Sequence, residues 1–156
     1  MCRHSAMIAI LLLGSALHLT GCAETSTSGP ASISTPDGSP AATLLPAVAG
    51  HARMIGASSQ TVGDSASIVT YGGPPRDYIA CSGGPATRSM ILDSRTTLTA
   101  DGPTLRAETA YLVTSAAAGG GAPNSVAFGT TDSGRFADGT ECRATGRLEN
   151  ALLGRK

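Results

Sequence analysis

The sequence predicts an all-β domain, a small antiparallel sandwich or barrel braced by a disulfide and set behind a disordered tether. Three observations carry that expectation: short apolar–polar alternations, turn signals between them, and two cysteines far apart in the chain. The alternation is clearest in 140–148, where Glu141, Arg143, Thr145 and Arg147 fall on one side. Cys142, Ala144 and Leu148 fall on the other, the period of two of a half-buried strand. Ile79 and Cys81 share a face in the same way.

Further strand-like runs are Ile68-Val69-Thr70-Tyr71, Met90-Ile91-Leu92, Arg95-Thr96-Thr97-Leu98-Thr99, a long stretch from Thr104 to Thr114, and Val126-Ala127-Phe128. Together they give about six to eight short strands. Asp101-Gly102-Pro103 and Asp138-Gly139 separate neighbouring runs as hairpin turns do, although Pro103 argues for a longer turn in the first. Gly119-Gly120-Gly121-Ala122-Pro123-Asn124 reads as an exposed loop. Near the end, Leu148, Ala151 and Leu152 share one helical face, so a short helix stopped by Gly154 is expected.

The start of the chain has a different character. Met1-Cys2-Arg3-His4 is weakly basic, and 6–17 then runs almost without a polar group. That stretch is too short to span a bilayer, which takes about 20 residues, but has the proportions of a secretory signal. Leu19-Thr20-Gly21-Cys22 follows it and resembles the lipobox of bacterial lipoproteins at all four positions. The resemblance covers only the first 22 residues. It implies diacylglyceryl on the Cys22 thiol, cleavage just before Cys22 by signal peptidase II, and often acylation of the new amino group. Two or three acyl chains, at about 0.8 kcal/mol per buried CH₂, anchor a protein durably where one does not. Ala23, in place of Asp, implies the periplasmic face of the outer membrane, or the outer face of the plasma membrane where the organism has no outer membrane.

The expected organisation is a signal peptide over 1–21, a lipidated Cys22 with a tether over 22–50, and a β domain over 51–156. The tether is rich in Ser, Thr, Pro, Gly and Ala. Such a composition buries too little apolar surface to offset chain entropy, and a flexible linker of this length spans roughly 30 Å. The domain has no Trp, three Tyr and two Phe, so burial alone leaves it marginal. With Cys2 lost and Cys22 consumed by lipid, Cys81 and Cys142 remain to pair, as exported cysteines do. Closing a loop of about 60 residues stabilises by about 4 kcal/mol on the chain-entropy model.

Residues for chemistry are few. His4 and His18 leave with the signal, so His51 is the one imidazole of the mature chain, expected as a solvated residue at the edge of the tether. That removes the usual nucleophile–His arrangements and zinc sets. The acids Asp64, Asp77, Asp93, Asp101, Glu108, Asp132, Asp138, Glu141 and Glu149 show no marked pair, and aromatic platforms for sugar are scarce. The glycine run lacks the Lys and Ser/Thr of a phosphate loop, and 132–139 lacks the ligand spacing of a calcium loop. No catalytic, cofactor or metal residue is therefore expected, nor an enzyme.

Loss of Arg3 leaves ten basic against eleven acidic residues, with no electrostatic footprint for nucleic acid. Arg143 and Arg147, on one face of the expected last strand, read either as a solvated sheet face or as a binding surface. The function expected is a membrane-anchored exported lipoprotein, a non-enzymatic accessory or binding component of the cell envelope. The alternatives are an inhibitor of a secreted or periplasmic hydrolase such as lysozyme, and a carboxylate-dependent cell-wall enzyme. The expected partners are the membrane, through the lipid, and an envelope protein. Neither nucleic acid nor an identifiable small-molecule ligand is among them.

Overall fold

The computed structural model describes residues 30–83, 89–116 and 123–155. The signal, Cys22 and the glycine run 119–121 lie outside them. The first elements are β1 (Ala31–Ser34), a 3-10 turn (Ala41–Leu44), α1 (Leu45–Met54), β2 (Ser58–Val62) and β3 (Ala66–Gly73). β4 (Ile79–Ser82), β5 (Met90–Asp101), β6 (Thr104–Ser115) and β7 (Asn124–Gly129) follow. The chain closes with β8 (Ser133–Arg135), β9 (Glu141–Ala144) and α2 (Arg147–Leu152).

The strands form two antiparallel sheets. The larger runs β1-β6-β5-β3-β2, with β7 also paired to β6, and the smaller runs β4-β9-β8. The fold is thus predominantly antiparallel β, with a Cys81–Cys142 disulfide. Where separate short strands over 90–92 and 95–99 were expected, a single strand of 12 residues runs through both. Its alternation is unbroken: Leu92, Ser94, Thr96 and Leu98 are buried, while Ile91, Asp93, Arg95, Thr97 and Thr99 are exposed. Ser94 and Thr96 disguise the buried face by composition. The Thr96 hydroxyl is satisfied across the sheet by that of Thr109 at 2.9 Å, which removes the cost of burying either alone.

On β6 the matching buried set is Leu105, Ala107, Thr109, Tyr111 and Val113. Leu45, Val48 and Ala52 from α1 and Leu148 and Leu152 from α2 join the same cluster. Each fully buried Leu or Val contributes about 1.5–3 kcal/mol relative to exposure. The large sheet is therefore covered on one face and open on the other.

The N-terminal boundary differs from the expected tether. Within 22–50, β1 pairs with β6 from Ala31↔Ala107 to Ser34↔Thr104, and Ala41, Leu45 and Val48 are buried. The Thr35 amide donates to the Pro103 carbonyl at 2.9 Å and the Ala41 amide to the Gly102 carbonyl at 2.8 Å. The reason is that an edge strand is held by backbone ladder bonds, which a Ser-rich run makes as well as any other. The apolar residues beyond it are few but fall on one face of a helix. Residues 22–29 lie outside the described structure. What separates Cys22 from the first strand is 23–30.

Two turns have clear local causes. Asp101 pairs with Thr104, so Gly102 and Pro103 alone make the β5–β6 turn, shorter than Pro103 suggested. Gly102 has φ 54°, and positive φ at the first position of a two-residue hairpin calls for glycine. Proline's fixed negative φ suits the second. In the β8–β9 turn, Asp138 Oδ1 accepts from the Thr140 amide at 3.1 Å, the turn that Asp138-Gly139 announced.

Candidate functional site

The expected site residues are dispersed. Cys22 lies outside the described residues. Cys81 and Cys142 face each other in register on β4 and β9 and are bonded, with Cα atoms 4.0 Å apart. Cys142 is fully buried and Cys81 exposed, so the bridge joins neighbouring strands at the edge of the core. The Cys81 Sγ also lies 3.8 Å from Met90 Sδ, at the start of β5 in the other sheet.

Arg143 and Arg147 do not share a strand face. The strand ends at Ala144, and Gly146, with φ 77°, turns the chain into α2, of which Arg147 is the first residue. Arg147 is there ion-paired with Asp77. Its hydrogen bond holds the Asp77 carboxyl below the usual carboxylate range. Arg143 stays exposed on β9, beside a shallow hollow of about 210 Å³ shared with Ala80, Cys81, Ser82 and Glu141. That is smaller than the roughly 300–1,000 Å³ of small-molecule sites. Glu141 is itself paired with Arg135 at 2.5 Å, and that hydrogen bond lowers its pKa.

A larger concavity of about 830 Å³ lies on the large sheet and opens widely to solvent. Its lining includes Ser58, Thr70, Gly72, Asp93, Arg95, Ala110, Leu112 and Ala127, all exposed. Two rows cross the strands here. One runs Ser58–Thr70–Arg95–Ala110 through β2, β3, β5 and β6. The next runs Gly72–Asp93–Leu112–Ala127 through β3, β5, β6 and β7. The hollow arises because small residues occupy the positions beside two charged ones: Gly72 opposite Asp93, and Ala110 opposite Arg95. The fit at the first is close, since a Cβ on Gly72 would sit 3.0 Å from Asp93 Oδ1. Among the described residues neither Asp93 nor Arg95 makes an ion pair. Leu112 adds an apolar side chain that is 41% exposed. The sequence signal for this site is the alternation through 91–99, which the polar pair Asp93-Ser94 conceals.

Beneath the sheet lies a second polar feature. Glu149, on α2, is fully buried. Its Oε1 accepts from the Tyr111 hydroxyl at 2.7 Å and from Thr130 Oγ1 at 3.2 Å, while Oε2 has no hydrogen-bond partner among the described residues. Burial, and then the Glu149 carboxylate, push the Tyr111 phenol above its ordinary 10.0. His51 is likewise structural rather than a solvated residue at a tether edge. It sits on α1, half-buried, with Nδ1 2.9 Å from the Leu152 carbonyl at the end of α2. Among the described residues no three His, Cys, Asp or Glu side chains gather as metal ligands, and no helix is long and apolar enough to cross a membrane.

No family model, curated protein or solved structure matches this chain. The functional reading therefore stands on the residues themselves.

Proposed function

We propose that this chain is an exported lipoprotein, anchored by lipid on Cys22 at the cell envelope, whose domain is a non-enzymatic binding module. The open face of its large sheet holds another envelope component. The observation that carries the binding role is the hollow of about 830 Å³, whose two charged residues have no ion-pair partner among the described residues. The small residues Gly72, Ala110 and Ala127 stand beside Asp93, Arg95 and Leu112 in the same cross-strand rows and leave the room a ligand would take.

Export is supported by Leu19-Thr20-Gly21-Cys22 behind the apolar stretch, and by a disulfide, a bond that persists in oxidising compartments. The non-enzymatic reading rests on the sequence, in which His51 is the one imidazole of the mature chain, and that residue ties α1 to α2 through Nδ1 and the Leu152 carbonyl. Ala23 favours the outer membrane where the organism has one.

Mass spectrometry of the protein purified from its own host, non-reduced and then reduced, tests this reading. Loss of residues 1–21, acyl mass on Cys22 and a two-hydrogen gain on reduction are expected. An intact Met1 with free thiols overturns it.

A further inference from the structure

We infer that the hollow on the large sheet binds a short peptide by its two termini, the free amine on Asp93 and the free carboxylate on Arg95. This deepens the binding role proposed above and rests on it.

The geometry supplies the first reason. Asp93 and Arg95 are two apart on one strand and point to the same, open face. A rise of 3.2–3.4 Å per residue places their Cα atoms about 7 Å apart. An extended tripeptide has its first and last Cα atoms about 7 Å apart as well, for the same reason. A peptide lying along β5 therefore brings one terminus to each side chain and its first residue level with Leu112, across the strand pair from Asp93.

Charge supplies the second. An acid and a base of fixed order, without an ion-pair partner among the described residues, match a ligand of two opposite charges better than an anion or a cation alone. Several other charged groups of the domain are engaged elsewhere: Arg135 on Glu141, Arg147 on Asp77, Arg76 over the Tyr71 ring, and Arg155 on the Ser32 carbonyl. Arg106 and Glu108 repeat the same two-residue spacing on β6, but they do not line the concavity. Volume is the third reason, since about 830 Å³ lies within the roughly 300–1,000 Å³ range of small-ligand sites.

Calorimetric titration of the full chain in detergent, with trialanine as probe, tests the assignment. The comparison peptides are N-acetyl-trialanine, trialanine amide and the doubly blocked form. Trialanine binds, and blocking either end weakens it about tenfold, the scale of one charge-assisted hydrogen bond. Asp93→Asn weakens trialanine to the level of the acetylated peptide and leaves the acetylated peptide's affinity unchanged. Arg95→Gln does the same for the amide. Both residues are exposed, and an unchanged thermal midpoint shows that the variants are folded. Ala110→Leu fills the hollow and weakens all four peptides.

No heat with trialanine at about 10 mM, far above the range of specific binding, overturns the assignment. So does equal binding of the doubly blocked peptide, or indifference to both substitutions. The anchor is read out by mass alone, so failure of the titration leaves that result intact, and a free Cys22 leaves the titration intact.

Discussion

The Tyr111 hydroxyl donates to Glu149 Oε1 across 2.7 Å in the interior, joining the central strand β6 to the short helix α2. Thr130, just after β7, donates to the same oxygen, and its Oγ1 accepts from the Thr109 amide at 2.9 Å. One carboxylate thus gathers three parts of the chain. Glu149→Ala leaves both hydroxyls and a cavity behind, and unfolding in denaturant should show a loss of about 2–4 kcal/mol. Glu149→Gln keeps an acceptor and should cost about 1 kcal/mol. Equal midpoints for Glu149→Ala and wild type would show that the contact contributes nothing.

Alkali gives the same pair a pH signature. The Tyr111 phenol is raised above 10.0 in the folded chain, so the folded state keeps a proton there that the unfolded state loses. Its contribution is full below pH 10.0 and declines as pH rises beyond it. The unfolding midpoint should fall above pH 10.0 in wild type and fall less in Tyr111→Phe.

Acid acts on the exposed pairs with the opposite sign. Asp77 and Glu141 have folded pKa values lowered from 3.8 and 4.5 by hydrogen bonds from Arg147 and Arg135. Their contribution is present above those values and lost as pH falls through the lower, folded ones. Being exposed, both should contribute little, and added salt should shrink the effect. Asp77→Asn is expected to flatten the acid limb of the stability profile slightly, a change visible in thermal melts between about pH 5 and pH 2.

The N-terminal segment offers a direct test of where the domain begins. Leu45→Ala should cost about 2–5 kcal/mol if that side chain is core, and nothing if it belongs to a loose tether. Removing 30–50 should expose the turn carbonyls of Gly102 and Pro103 along with the β6 edge. Loss of the cooperative melt is the expected result.

Reduction of the disulfide should destabilise the domain by about 4 kcal/mol on the chain-entropy model. The same loss is expected from Cys142→Ala, together with faster amide exchange in β4 and β9 than in β5. Uniform exchange across both sheets after reduction would show that the small sheet does not open by itself.

What was legible in the sequence is what depends on neighbours in the chain. The Asp138-Gly139 turn and the helix before Gly154 follow from local chemistry, while the pairing of Cys81 with Cys142, 61 residues apart, follows from their being the two cysteines left once Cys2 and Cys22 are set aside. β1 was not legible, because its partner, 104–107, is some seventy residues away and its own side chains are nearly indifferent. The polar pair Asp93-Ser94, of which Ser94 is buried, hides the continuity of one long strand and makes it read as two short ones. Arg147 was placed on a strand face because alternation takes no account of the bend at Gly146. The hollow is a property of register: Gly72, Asp93, Leu112 and Ala127 come from four strands and become neighbours only once the sheet is formed. Glu149 gave no sign either, since a carboxylate in a short helix reads as solvated until Tyr111 is brought to it.

Ala31, the first residue of the sheet, comes nine positions after Cys22. On the proposed anchor that leash reaches at most about 30 Å when pulled straight. The domain is then a resident of its own membrane's surface, sharing a thin layer with whatever is embedded beside it. Encounters there are those of molecules diffusing in a plane, where tethering raises the effective concentration of neighbours and leaves components on a distant face out of reach.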